Sequence, residues 1–390
     1  MMKKFIRILI FVLIFLGVIT VITIVISVLA GNKVININLF SQITPTPNPY
    51  HQLSYSAWIP DWGINEGLTS LKTNAAKFDY LSPVWYEVKE DGSLINKKPK
   101  NAAKMFSIAN KNDIKLVPAI AMFDHELFTK VLQNQENLQR HITAIYDLVV
   151  SEDYAGIDLD YESTKLQDKE QYFAFLADLS AKLHQADKIL IVTVLAKWGD
   201  AVIYPSLPET RIVQDWSRIA ELADQVRIMA YDYTYAKTQF PGPIAPVNWI
   251  KDILDYAVTK IPREKIILGI HLYAYEWWLE VDPTNKDQEF SSLTFITNYL
   301  LNNSSDRAAR AYTYDTVLKV LAENQGERSE YQGEQIFKYQ KTNSDTGKLE
   351  NRILIYIDPV GVRQREQLAK DYQIAGVSYW RLGREADLLD

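Results

Sequence analysis

Eight short apolar or β-branched runs, alternating with stretches of helical periodicity, constrain this chain most. The runs are Tyr55–Trp62, Tyr80–Val88, Lys115–Met122, Tyr154–Glu162, Ile189–Lys197, Val226–Tyr233, Lys265–Tyr273 and Gly376–Trp380. Helical patterns cover Leu127–Val149, Gln167–Gln185, Glu209–Ala223 and Trp249–Lys260. In the last of these, Ile250, Ile253, Leu254 and Ala257 recur at helical spacing, with start signals at Pro246 and Asn248 and a stop at Pro262. Strands that alternate with helices pair in parallel, and eight such units close into a (β/α)8 TIM barrel of the α/β class. A doubly wound open sheet is the alternative, but no glycine-rich phosphate loop follows the first run. One interval breaks the rhythm. The polar stretch between Trp278 and Ile353 is far too long for an ordinary connection, and Asn302–Asp306 and Thr342–Gly347 carry loop signals. It predicts a subdomain over about 279–352, inserted between strands seven and eight on the face where strand–helix loops emerge.

The fourth run carries the chemistry. Residues two apart on a strand share a face, so Asp158, Asp160 and Glu162 line one side, with Ile157, Leu159 and Tyr161 on the other. Like charges this close resist joint ionisation, so one carboxyl is expected to keep a proton at neutral pH. A protonated carboxyl beside an ionised one equips a site for general acid catalysis. A solvated polar strand face or a divalent-cation site are the alternative readings of the triplet alone.

The N-terminus sets a location. Lys3, Lys4 and Arg7 precede the uncharged apolar run Ile8–Ala30, which at about 1.5 Å per residue is long enough to cross a hydrocarbon core of about 30 Å. The charge bias places the N-terminus in the cytoplasm and the remainder outside. We therefore expect residues 1–30 to be a membrane anchor, 31–50 a proline-rich linker through Pro45, Pro47 and Pro49, and 51–390 the catalytic domain. A cleaved signal peptide ending at Val28-Leu29-Ala30 is the alternative, giving a secreted protein. The 48 acidic residues exceed the 42 basic ones, three of which precede the apolar run, which argues against nucleic acid as a partner. The chain has no cysteine, so disulfides and thiolate metal sites are excluded.

Four segments together resemble glycoside hydrolase family 18, the chitinase and endo-N-acetylglucosaminidase family. Gly156–Glu162 resembles its DGxDxDxE strand, and Met229-Ala230-Tyr231-Asp232 its MxYD segment. Leu268–Tyr273 is similar to the seventh strand, with His271 where proline is usual, and Gly376–Gly383 to the eighth. Ser82–Tyr86 with Asp91–Ser93, and the ending Trp380–Glu385, resemble the branch of spore-germination and cell-wall N-acetylglucosaminidases. The first aspartate of the family strand is here Ala155. By resemblance that position belongs to a buried relay, and a carboxylate restored there is expected to lie unpaired among apolar groups.

The resemblance implies retaining, substrate-assisted hydrolysis, an exception to the two-carboxylate scheme. Glu162 would be the general acid and base, and Asp160 would hold the 2-acetamido N–H. Asp158 would share a proton with Asp160, and Tyr231 would position the acetamido carbonyl. Trp380 would floor the sugar subsite, with Asp232, Met229 and Tyr273 as further substrate contacts and Trp58, Trp62, Trp85 and Trp277 as outer platforms. The substrate would be an N-acetylglucosamine polysaccharide, peptidoglycan or chitin-like, cut by a monomer without cofactor or metal. A catalytically silent lectin on the same fold is the alternative, though such lectins often lose the acid that Glu162 supplies. No GxSxG elbow supports a serine hydrolase.

Overall fold

The computed structural model describes residues 52–238, 241–280 and 309–390, the side chains of residues 279 and 280 apart. The expected anchor 1–30 and linker 31–50 lie outside the described residues. Among the described residues, no helix is long and apolar enough to cross a membrane.

Eight parallel strands close a barrel. They are Ser54–Pro60, Tyr80–Val88, Ala119–Met122, Gly156–Tyr161, Ile189–Leu195, Gln225–Met229, Ile266–His271 and Gly376–Trp380. Each pairs with the next, and the first pairs with both the second and the eighth, which completes the circle. Helices cover the outside in the expected alternation, and the strand positions that face them are apolar and buried, as Ile157, Leu159 and Tyr161 are. Two expected helices are each interrupted by a capping residue. Asn134 accepts from the N–H groups of Glu136 and Asn137, which separates His125–Gln133 from Gln135–Ser151. Asp215 likewise caps Trp216–Leu222 after the short helix Pro208–Val213. A polar side chain that satisfies free N–H groups starts a new helix even where the apolar period runs on.

Between strands seven and eight the chain builds a second, antiparallel sheet. Its order is Arg310–Thr313, Tyr273–Glu280, Leu349–Tyr356, Glu334–Thr342 and Gly326–Tyr331. This sheet begins at Tyr273, with one residue between it and the seventh barrel strand, earlier than residue 279, and ends after residue 352. It is anchored to the barrel by charge and hydrogen bonds. Glu334 is wholly buried, accepts the N–H groups of Ile244 and Ala245 at 2.7 Å each, and pairs with Arg365 at 3.1 Å. His271 sits 3.5 Å from Glu334, and burial, reinforced by the nearby Arg365 charge, holds its imidazole well below the usual histidine range.

Candidate active site

Strand alternation turns Asp158 and Asp160 into the barrel, while Glu162 follows directly after the strand, its N–H bonded to the Met122 carbonyl at 3.0 Å. Gly156 opens this strand because a side chain there would strike the Ile189 carbonyl. Asp158 is wholly buried and saturated with donors. Its carboxylate takes the Trp58 indole N–H at 2.9 Å, the Thr193 hydroxyl at 2.7 Å and the Arg227 guanidinium at 2.8 Å. Asp160 is different. One of its oxygens has no partner among the described residues, and its carboxyl is raised well above the usual range by burial and by the neighbouring Glu162 and Asp158 charges. Glu162 is pushed up to about 7, by burial first and by Asp232 second.

The sixth strand supplies the facing wall. Arg227 points inward to Asp158, and beyond the strand end come Tyr231 and Asp232. Gly269 on the seventh strand makes room for the Tyr231 ring, since a side chain there would press on that ring and on the Ile228 carbonyl. The Tyr231 hydroxyl stays well above its ordinary pKa through burial and the charges of Asp160, Glu162, Asp232 and Asp158. Asp232 has φ +60°, a left-handed backbone that aspartate tolerates better than most residues. Its carboxylate accepts from the hydroxyls of Tyr273 and Tyr275, the latter at 3.1 Å. Burial nevertheless raises it.

One cavity of about 940 Å³ gathers most of the expected residues. Trp58, Asp160, Glu162, Met229, Tyr231, Asp232 and Trp380 all line it, at the C-terminal strand ends where barrel active sites lie. Trp58 and Trp380 meet edge to face at 5.9 Å. Five expected residues stand elsewhere. Asp158 lies behind the cavity wall, held by Arg227, Trp58 and Thr193. Tyr273 supports Asp232 rather than lining the cavity. Trp85 and Trp277 are 0% exposed, so neither is a sugar platform. Trp85 packs against Phe106 in the barrel core, and Trp277 belongs to the smaller core cluster of the inserted sheet. Trp62 is 68% exposed but lies outside this cavity, under the Arg381 guanidinium at 4.0 Å.

The sequence reading missed Arg227, Trp198, Tyr233 and Arg211. Arg227 was visible as a lone charge within the apolar run Val226-Arg227-Ile228. Trp198, Tyr233 and Arg211 line the cavity from loops or from a short helix whose position no strand pattern specifies. Among the described residues, no group of three His, Asp or Glu side chains is arranged to hold a metal ion.

Residues 55–385 match glycosyl hydrolases family 18. The chain is 27% identical over 291 residues to an uncharacterized glycosylase of Bacillus subtilis, covering 74% of each protein. It is 22% identical over 345 residues to the cortical fragment-lytic enzyme of the same organism, covering 86% of this chain and 73% of that one. The crystal structure of the Bacillus cereus spore cortex-lytic enzyme SleL superposes with a TM-score of 0.69 at 21% identity, over 85% of this chain and 71% of the other. A chitinase of Chromobacterium violaceum gives 0.70 at 20% identity, over 86% and 96% of the two chains. These two structural likenesses speak for the fold, and the match over 55–385 for the family. The chain belongs to glycosyl hydrolases family 18.

Proposed function

We propose that this chain hydrolyses β-1,4 bonds next to N-acetylglucosamine in a cell-wall polysaccharide, with retention and with the sugar's own acetamido group as nucleophile. One observation carries the reading: Glu162, with a carboxyl poised at about 7, shares a single cavity with Asp160 and Tyr231. A carboxyl titrating near neutrality is suited to giving a proton and taking one back.

Glu162 donates its proton to the leaving glycosidic oxygen as the acetamido carbonyl oxygen closes on the anomeric carbon. The C–O bond breaks, the leaving sugar departs as an alcohol, and a cyclic oxazolinium remains. Glu162, now ionised, takes a proton from water, whose oxygen opens the ring at the same carbon. Asp160 accepts the acetamido N–H on its carboxyl oxygen that has no other partner, which fixes the acetamido group as the positive charge develops on the ring. Asp158, kept in an ion pair by Arg227, supplies a fixed negative background behind it. The Tyr231 hydroxyl donates to the acetamido carbonyl, and Trp380 offers an apolar floor for a distorted ring.

The names of relatives favour peptidoglycan, since cortical fragment-lytic and spore cortex-lytic enzymes are among them. The run Ile8–Ala30 behind Lys3, Lys4 and Arg7 supports placement at the cell membrane with the catalytic residues outside. External protease digestion of intact cells tests this placement. For the chemistry, the full chain is incubated with purified peptidoglycan and chitin oligosaccharides and the products are weighed by mass spectrometry. Glu162→Gln should lower turnover by about 10²–10⁴-fold with sugar binding retained. Wild-type turnover in that variant would remove Glu162 from its role. Sugar binding with no turnover in the wild type would make the protein a lectin.

A further inference from the structure

A second cavity, of about 440 Å³, lies across the segment that follows the fifth barrel strand. Ala196 and Trp198 face the catalytic cavity, whereas Lys197 and Gly199 face the second, as alternation along an extended chain requires. Arg211 lines both cavities and stands in the partition between them.

The second cavity is electropositive in an acidic chain. Its charged lining is Lys169, Lys197, Arg211 and Lys260 against Asp200 and Asp215. Both carboxylates are already engaged, Asp200 by Lys260 at 2.8 Å and Asp215 by Lys169 at 3.5 Å. Lys197 and Arg211 are 8% and 9% exposed. Their hydrogen-bond and ring partners are neutral. Lys197 donates to the Gln214 carbonyl at 3.2 Å and lies over the rings of Trp216 and Tyr256. Arg211 donates to the Ala196 carbonyl at 2.9 Å and to the Ser206 carbonyl. Buried cations held by neutral groups carry a desolvation cost that an entering anion offsets. Burial holds the Lys197 ammonium below the usual lysine range, outweighing the opposing charges of Asp215 and Asp200.

We propose that this second cavity is a subsite for a carboxylate-bearing substituent of the glycan bound in the catalytic cavity, selecting acidic wall polymer over neutral chitin. The inference rests on the hydrolase reading above. Chitin bears no carboxylate. Peptidoglycan bears lactyl carboxyls, free or linked to peptide stems that end in carboxylates of their own. Arg211 is the bridge, because it lines both cavities at once.

The test measures kcat/KM of the full chain on three soluble glycans: stem-free peptidoglycan, the same glycan with carboxyls converted to methyl amides, and glycan with intact stems. Binding of each to Glu162→Gln is measured in parallel by calorimetry. The wild type should prefer the stem-free carboxylated glycan to its amide by about tenfold or more, the scale of one charge-assisted hydrogen bond. Lys197→Met should bring that ratio to about one. Lys169→Gln/Lys260→Gln, whose side chains are 25% and 30% exposed, should reduce it severalfold and keeps the test available if Lys197→Met does not fold. Preference confined to stem-bearing glycan assigns the carboxylate to the peptide; equal preference for stem-free glycan assigns it to the lactyl ether. A wild-type ratio near one in both assays, or a ratio that all variants leave intact, overturns the subsite. Binding preference without turnover of any glycan keeps the subsite and overturns the hydrolase reading instead.

Discussion

The Arg227 guanidinium lies 2.8 Å from Asp158, and both side chains are wholly buried inside the barrel. This pairing sets Asp158 apart from the other two carboxylates of the row. Asp158 stands in an ion pair with Arg227, whereas the Asp160 carboxyl, without such a partner, is raised well above the usual range by burial and by the Glu162 and Asp158 charges.

Arg227→Met should therefore be severely destabilising, by about 3–5 kcal/mol, because Asp158 would remain buried without its counter-charge. Urea unfolding measures this. Adding Asp158→Asn should recover part of the loss by removing the stranded charge, although the double variant should remain slow. A single Arg227→Met variant as stable as the wild type would contradict the ion pair.

Glu162 gives a pH signature in both rate and stability. Its folded-state pKa of about 7 lies above the ordinary 4.5, so the folded chain holds this proton more tightly than the unfolded one. Below about 4.5 both states are protonated and the site costs nothing. As pH rises from about 4.5 to about 7 the unfolded chain ionises first, so stability is lost across that window and the loss is complete above it, where the folded chain carries the buried charge. Glu162→Gln should thus gain stability relative to wild type between pH 4 and pH 8, read from paired thermal melts. The alkaline limb of kcat/KM in the wild type should fall near pH 7.

Asp160→Asn and Tyr231→Phe should each slow substrates that require acetamido participation by about 10²-fold or more, the scale of one lost transition-state contact. Thiazoline mimics of the oxazolinium should inhibit the wild type. Indifference to them, with hydrolysis intact, would point to an enzyme nucleophile.

The tryptophans separate into two kinds by burial. Trp380→Ala should lower kcat/KM far more than it lowers stability, since that ring borders the cavity. Trp85→Ala and Trp277→Ala should each cost about 3–5 kcal/mol of stability as large core truncations. Comparing melting temperatures with kcat/KM distinguishes the two classes.

Ala155 precedes the fourth strand, is half-buried, and engages its neighbours through its backbone, to the Leu116 carbonyl and from the Ile189 N–H. A half-buried position is less enclosed than the apolar site expected there. Ala155→Asp should change stability by about 1 kcal/mol or less. It should leave the pH–rate profile in place, because about 3.3 Å per strand residue separates it from Glu162 along the strand. A large loss of stability would restore the buried-relay reading.

The barrel strands could be read from the sequence because each buries both faces, leaving continuous apolar runs such as Ile189–Leu195. The carboxylate row was visible for the same reason, as charges with no other place in such a run. Trp85 and Trp277 were misjudged because composition does not tell which way a ring turns, and only packing against Phe106 or the inserted sheet decides it. Helix breaks at Asn134 and Asp215 were hidden by apolar periods that continue across them. Arg211 escaped notice since its significance depends on a partition between two cavities, a property of loops rather than of periodicity.

Tyr273 and Tyr275 belong to the inserted sheet, yet their hydroxyls hold Asp232, whose charge helps set the acidity of Glu162. Loop length and acid strength are thereby inherited together. A relative that trims this insertion gives up two phenols that temper Asp232, and its proton donor would be retuned without any change to the carboxylate strand. The sheet beside the barrel thus takes part in setting the ionisation of Glu162.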